Sequence, residues 1–445
     1  MNRIHQLVLP GLALVLLAAG CRGIPTDSEK SARRDLTSVS NLLAAPILVL
    51  PTNATLRDVV TFALRNDPKV TAAYADWAAA VENITIARSL PDPKLTFQAY
   101  IESALTSLMP GLAADIPGPG KLRARAEAAS AESRTKYFQF ESAVQQTAFA
   151  VEKSFYPLHF LDAKLVVNRQ SLALLAQLES LARTQNEVGR ATLQDVLRAQ
   201  IEQEKLRTET ANLEDSRRVL LTQFKAALGL HADQPDPPVP ADAEFSESNL
   251  SDDELFAAAL KQNPQLKEME AEIKSAEASL QLARKDKVPD FSAGLQAEVY
   301  RPPFYWPQAS MTLPIWRDKL AAELAAAQAG KRAAEARLSA EQISLAVDFA
   351  EQTYLIREAD RVLTLLRERL LPRARQSLEV SRAAYRSGQV DFLNVIDAER
   401  SLLNFQLDEI AAQIQREIAH AELTLLVAGV PPENAPLLKT ETSTR

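Results

Sequence analysis

Ala63-Leu64-Arg65-Asn66-Asp67-Pro68 returns about 196 residues later as Ala259-Leu260-Lys261-Gln262-Asn263-Pro264. Working outward, Ala87-Arg88 followed by Pro91-Asp92 comes back as Ala283-Arg284 followed by Pro289-Asp290. Ile116-Pro117 with Lys121-Leu122 comes back as Leu313-Pro314 with Lys319-Leu320. Val188-Gly189 with Asp195-Val196 answers to Ser387-Gly388 with Asn394-Val395. Order and spacing survive over offsets of about 196 to 199 residues, so the chain is one pattern written twice. Each half, residues 55–230 and residues 250–430, reads as helix, two short strands, very long helix, glycine turn, helix.

Composition fits this plan. The chain has 445 residues but only 12 glycines and one cysteine, and 47% of it is hydrophobic, chiefly Ala and Leu set among charged residues that make up 24%. So few turn formers over such a length imply long helices of bundle or coiled-coil type. The net charge of −7, with no concentrated basic patch, excludes a nucleic-acid partner.

Apolar residues three and four apart, as in Leu174, Leu178 and Leu181 or Leu363, Leu366 and Leu370, mark helix faces. Thr55 with Asp58, and Ser251 with Glu254, predict capping boxes at two helix starts. Lys121 to Glu187 is about 67 residues, ~100 Å at 1.5 Å per residue, and Lys319 to Arg386 nearly as long. The helices after the glycine turns, Leu193 to Leu228 and Phe392 to Val427, come to ~55 Å. Those opening each half, Thr55 to Arg88 and Asp252 to Arg284, come to ~50 Å. Two short helices stacked end to end therefore match one long one. Pro157 and Pro372 fall inside the long helices and predict kinks or register breaks.

The amino terminus carries a separate signal. Arg3, an apolar core from Leu7 to Ala19, and Ala18-Ala19-Gly20 before Cys21 read as a signal peptide over residues 1–20, too short for a permanent membrane helix. Cys21, being the only cysteine, excludes an internal disulfide and is the expected lipidation site, which makes residues 21–54 a lipid-anchored extended segment. Pro235, Pro237, Pro238 and Pro240 give residues 231–249 the character of a linker between the repeats, and residues 431–445 read as a flexible tail.

Between the helices, apolar Leu95, Phe97, Ala99 and Ile101 alternate with Thr96, Gln98, Tyr100 and Glu102. Phe291, Ala293, Leu295, Ala297 and Val299 alternate in the same way with Ser292, Gly294, Gln296, Glu298 and Tyr300. Returning strands are expected over Leu112 to Ile116 and Gln308 to Ile315. Aromatic Tyr300, Phe304, Tyr305, Trp306 and Trp316 gather at the ends like an interfacial belt. Such strands suit a transmembrane barrel, but a small soluble sheet with one buried face shows the same alternation. Four strands per chain cannot close a barrel, and an open edge in lipid leaves its amides unsatisfied, so the membrane reading demands an oligomer.

These residues resemble the TolC-type outer-membrane efflux proteins, in particular the lipoprotein branch serving resistance-nodulation-division pumps. The markers are the repeat, the Asn-Asp-Pro and Asn-Pro openings, Ile116-Pro117-Gly118-Pro119-Gly120-Lys121, Leu313-Pro314-Ile315-Trp316 and the two glycine turns. The sequence before Cys21 is similar to the lipobox of bacterial lipoproteins, with Ala18 where a larger aliphatic residue is usual, and Arg22 after it leans toward the outer membrane. The resemblance implies a mainly α fold with a small β part: a long α-helical barrel forming a periplasmic tunnel, continuous with a transmembrane β-barrel to which each protomer of a homotrimer gives four strands. It implies localisation in the outer membrane through lipid and strands, with a large periplasmic portion. The implied partners are a periplasmic adaptor (membrane fusion protein) and an inner-membrane pump, for which the duct is a passive exit. It makes Val188-Gly189-Arg190-Ala191-Thr192 and Ser387-Gly388-Gln389-Val390-Asp391 the adaptor-docking tips. Asp195, Tyr385, Asn394 and Asp397 fall at the periplasmic constriction, where Asn394 is neutral and Val390 replaces a polar gating partner.

Nothing in the sequence points to catalysis or a cofactor. His5, His159, His231 and His420 are scattered, giving neither a metal site nor a triad, and four methionines form no copper cluster. The other readings are a periplasmic adaptor, which would carry one helical hairpin rather than two, a structural coiled-coil lipoprotein, for which the strands would be idle, and the outer-membrane channel of a type I secretion system.

Overall fold

The computed structural model describes residues 25–43, 50–101, 105–240, 251–298 and 304–427. In chain order the elements are α1 (Asp27–Leu43), α2 (Leu56–Asn66), α3 (Pro68–Arg88), β1 (Lys94–Ile101), β2 (Leu105–Ile116), α4 (Lys121–His159), α5 (Leu161–Glu187) and α6 (Leu193–Ala227). The second half supplies α7 (Asp252–Gln262), α8 (Pro264–Lys285), β3 (Phe291–Glu298), β4 (Phe304–Met311), α9 (Arg317–Leu365), a π-helical turn (Leu366–Leu370), α10 (Leu371–Arg386) and α11 (Phe392–Val427). The fold is mainly α with a small β part, as the sequence implies. Contacts divide it into two units, and each draws on both repeats.

The first unit comprises Met1–Leu42, Tyr74–Gln139 and Lys267–Ser339. Its sheet has the order β1-β2-β3-β4, antiparallel throughout, so each repeat gives one hairpin and β2 joins β3 across the duplication. Pro110 and Gly111 argue against a strand before Leu112, yet β2 begins at Leu105. Pairing to β3 starts only at Gly111, so Pro110, which has no N–H, meets a single neighbour strand. Pro307 likewise meets a single neighbour strand, β3, within one copy.

The segment expected to be extended holds a 17-residue helix, α1. Its Glu29 is buried and accepts from Arg88 at 3.3 Å, Arg33 at 3.3 Å and Thr85 at 3.0 Å, and Arg88 Nε lies 2.8 Å away as an ion pair. Arg33 also forks onto Glu82 at 2.8 and 2.9 Å. These partners hold α1 on α3, a pairing that no local pattern announces.

The second unit comprises Leu43–Ala73, Phe140–Leu266 and Ala340–Arg445. The helices opening each repeat are not continuous as expected. Asp67 and Asn263 each precede a proline, which disfavours helical backbone, and both sit at extended angles that split α2 from α3 and α7 from α8. The side chain of Asp67 then caps the next helix by accepting from Lys69 N at 2.7 Å, and that of Asn263 from Gln265 N at 2.9 Å. Both capping boxes form, with Thr55 N to Asp58 at 3.0 Å and Ser251 N to Glu254 at 3.0 Å.

The two interior prolines mark breaks as well. Regular helix stops at Phe160, three residues past Pro157, and restarts at Leu161. Ahead of Pro372, the Leu371 N–H reaches back to Leu366 O, the wide i→i−5 closure of a π turn. Below these faults, α5, α6, α10 and α11 share one core of Leu175, Leu178, Val196, Leu378, Phe392 and Ile396.

Candidate functional site

Cross-strand register puts whole rows of apolar side chains on one face of the sheet. Leu95 pairs with Leu112, Leu112 with Leu295 and Leu295 with Pro307, a single row across all four strands. The next rows are Ala114, Ala293 and Ala309, then Ile116, Phe291 and Met311. The large members are exposed, from 42% for Leu112 and Phe291 to 66% for Leu95 and Phe97. The opposite face is polar and bonded within itself. Ser292 and Ser310 share a 2.6 Å hydrogen bond, Gln308 donates to Gln296 at 2.9 Å, and Lys94 meets Asp115 at 2.7 Å.

A sheet in water turns its apolar face inward and its polar face out. Here the apolar face is bare, as lipid requires, while polar-face residues such as Lys94, Gln98, Gln308 and Ser310 are exposed too but are bonded among themselves or hydrophilic. The aromatic belt is only partly realised. Tyr305 shares the apolar face, Phe304 and Trp306 lie in polar-face register with Glu298 and Gln296, and Tyr300 falls outside the described residues.

At the helical end of the sheet, Ile116-Pro117-Gly118-Pro119-Gly120-Lys121 forms a junction in the first unit. Asp290, from the other repeat, accepts from Gly118 N at 2.8 Å and from the buried Lys121 Nζ at 2.9 Å. A Cβ on Gly118 would lie 2.3 Å from Pro289 O. The motif thus locks one hairpin's exit to the other's entry.

The two glycine turns have identical geometry. Gly189 and Gly388 both sit at φ +74°. Arg190 N reaches Gln185 O and Gln389 N reaches Ala384 O, each at 2.8 Å, while the glycine N–H groups close on Asn186 O and Tyr385 O, the double bond pattern of a Schellman end. Val188, Gly189, Arg190, Ser387, Gly388, Gln389 and Asp391 are exposed, whereas Ala191 and Val390 pack on the core below. Thr192 caps α6, and its N–H donates to Asp195 at 3.3 Å. Because nothing lies within 4 Å of a Cβ on Gly388, Gly388→Ala is expected to cost only the left-handed strain, about 1 kcal/mol, read as a small shift in thermal midpoint.

The residues expected at the constriction separate into two kinds. Tyr385 is buried, its ring 5.2 Å from Phe392, and its hydroxyl has no hydrogen-bond partner among the described residues. Burial, and after it the charge of Asp195, pushes its pKa up to about 12. Asn394 and Asp397 are exposed one turn apart on α11, and Asp397 lies 3.8 Å from Arg400. Cys21 falls outside the described residues.

One polar link was not anticipated. Arg400 on α11 forks onto Glu202 on α6 at 2.5 and 3.1 Å, joining the two tip hairpins. The partners stand 198 residues apart, which is the repeat offset, so opposite charges at repeat-related positions were the available signal.

The outer membrane efflux protein pattern matches residues 59–230 and 255–429. The pyoverdine export outer membrane protein OpmQ of Pseudomonas putida is 27% identical over 237 residues, 48% of this chain and 49% of that protein, so the match spans about half the length of this curated relative. Among solved structures, the fold is similar to a membrane protein from Pseudomonas aeruginosa, with a TM-score of 0.73 at 19% identity, covering 84% of this chain and 92% of that one. It is similar also to the outer membrane protein VceC of Vibrio cholerae, with a TM-score of 0.71 at 18% identity, covering 84% and 95%. With nearly all of both halves of the duplication matched, the chain belongs to the outer membrane efflux protein family.

Proposed function

We propose that this protein is the passive exit duct of a tripartite export machine, three copies closing one twelve-stranded barrel in the outer membrane above a helical tunnel. The family is one of outer-membrane transport proteins, and the chain is not an enzyme. The observation that carries the duct is the bare apolar sheet face set against a self-bonded polar one. Within the described residues β1 and β4 are the sheet's outer strands. Each backbone group left unpaired in hydrocarbon costs several kcal/mol, so β4 of one copy pairs with β1 of the next until the ring closes. Four strands per copy give a barrel of the usual size range when three copies join.

In this reading Cys21 carries the lipid, and the exposed turns at residues 188–192 and 387–391 receive the periplasmic adaptor that links the duct to a resistance-nodulation-division pump. Asp195, Tyr385, Asn394 and Asp397 set the constriction behind those turns, with Asp195 already committed to its helix cap. Pump and adaptor select the cargo, and the duct limits only size and charge.

The test is purification of the full chain from membranes. Heat-resistant trimers on a gel and single-channel conductance in planar bilayers are expected. A monomer without conductance would overturn the reading.

A further inference from the structure

In the second unit α5 packs on α6, and α11 packs on α5 and on α10. The outer members are therefore α6 and the rod formed by α9 and α10, each seated on the others along one face. The seated face of α6 carries Val196, Ala199, Gln203, Leu206 and Thr210, and that of the rod Leu345, Phe349, Ile356, Leu363 and Leu378. On the opposite side, at about 100° of turn per residue, α6 leaves Leu193, Leu197, Ile201 and Val219 bare, 49% to 62% exposed. The rod leaves Ile343, Val347, Tyr354, Leu365 and Val380 bare, 43% to 66% exposed. Apolar rows of this length facing water mark an interaction surface.

Between their apolar ends the two bare faces carry opposite charge. On α6 the exposed residues there are Glu204, Thr208 and Asp215; on the rod they are Arg361, Arg369 and Arg373. Among the described residues Asp215 and these three arginines have no ion-pair partner, and Glu204 meets only Arg207 of its own helix. The glycine turns supply a register. Asn168 and Thr210, which are bonded, both stand 21 residues from Gly189, and Arg367 and Glu409 both stand 21 from Gly388. Between the hairpins Glu202 and Arg400 stand 13 and 12 residues out, and Ser171 and Glu399 18 and 11, so the two turns are level to within about two helical turns. At matching distances Leu197 and Val380 are each eight residues from their glycines, and Glu204 and Arg373 each fifteen. Because α6 leads away from its turn and α10 leads into its own, the two faces run antiparallel.

We propose that these faces are the two halves of one seam, in which α6 of each copy lies antiparallel against the α9–α10 rod of the next. Leu197 then meets Val380, and Glu204 and Asp215 meet the rod's arginines. The seam rests on the duct reading and extends it from the strands to the tip helices. Its occupant is a second copy of this chain, because the two faces complement each other in charge and lie on opposite flanks of one protomer. Neither face complements itself: α6 against α6 sets acid on acid, and rod against rod sets arginine on arginine, which repels. The contact is thus heterologous, repeating head to tail until a ring closes.

The test is disulfide cross-linking of the full chain in detergent, with Leu197→Cys combined in turn with Gln376→Cys, Val380→Cys and Ala383→Cys. Oxidation is expected to give covalent trimer in at least one combination. Leu197→Cys alone is expected to give none, nor is its combination with Arg375→Cys, which lies off the bare face. Glu204→Arg is expected to lower the temperature at which the heat-resistant trimer falls apart, and Arg373→Glu in the same chain to restore it. A trimer by light scattering that cross-links in none of the three combinations overturns the seam and leaves the duct standing, with both faces free for another protein. A monomer by light scattering overturns the duct and the seam together.

Discussion

Leu295→Arg is expected to abolish stable insertion of this protein into membranes, and Leu112→Arg to do the same. Both leucines sit in the single row that crosses all four strands, next to each other on the two central strands. An arginine on a lipid-facing strand costs up to about 2 to 4 kcal/mol at the bilayer midplane, and the proposed trimer would carry it three times. Refolding into lipid vesicles, scored by heat-resistant oligomer and by urea titration, is the measurement. Ser292→Arg is the matched control. It places the same charge three residues back along β3 and on the polar face, where it is expected to insert normally and to alter ion selectivity. In a soluble sheet the outcome would be reversed, since replacing a half-exposed leucine by arginine in water costs little. Normal insertion of Leu295→Arg would remove the membrane assignment.

The second large effect is expected at the junction below the sheet. Gly118→Ala adds one methyl group, but that methyl would sit 2.3 Å from a backbone carbonyl of Pro289 and 2.8 Å from Val288. Neither neighbour is the free end of a flexible side chain, so the chain must shift and weaken the Gly118 N–H bond to Asp290. That movement also disturbs the Asp290 pairing with Lys121, whose side chain is almost wholly buried. A loss of about 3 kcal/mol is expected, far above the Gly388→Ala cost at an open turn. Thermal unfolding followed by circular dichroism compares the two variants directly. Equal midpoints would mean that the junction relaxes freely. Asp290→Asn, which keeps the volume and removes the charge, is expected to fall between them.

Local features were legible where one residue type permits one backbone answer. Gly189 and Gly388 end helices in the left-handed region, and Thr55 and Ser251 cap helices with an acid three residues on, as their spacing implies. The splits at Asp67 and Asn263 were legible too, through the pre-proline restriction, although helical periodicity continuing past both prolines hides them. Strand β2 shows the opposite difficulty. Pro110 reads as a breaker until the pairing partners are known, and only the late start of β3 pairing makes it harmless. The constriction divides in the same manner. Asp195 and Asp397 belong to helix ends by position, but whether Tyr385 faces solvent or the core of four helices is decided by which helices meet.

The duplication, the helical class, the strand alternation and the two turns were determined by the sequence itself, because each depends on residues close together in the chain or on identities repeated at a fixed offset. Tertiary structure alone decided that the apolar sheet face is left uncovered, and the proposed membrane reading rests on that. It also docked α1 through Glu29 and brought Arg400 to Glu202. Those outcomes depend on what surrounds a side chain after distant segments have packed, and neither hydration nor charge pairing is set until then.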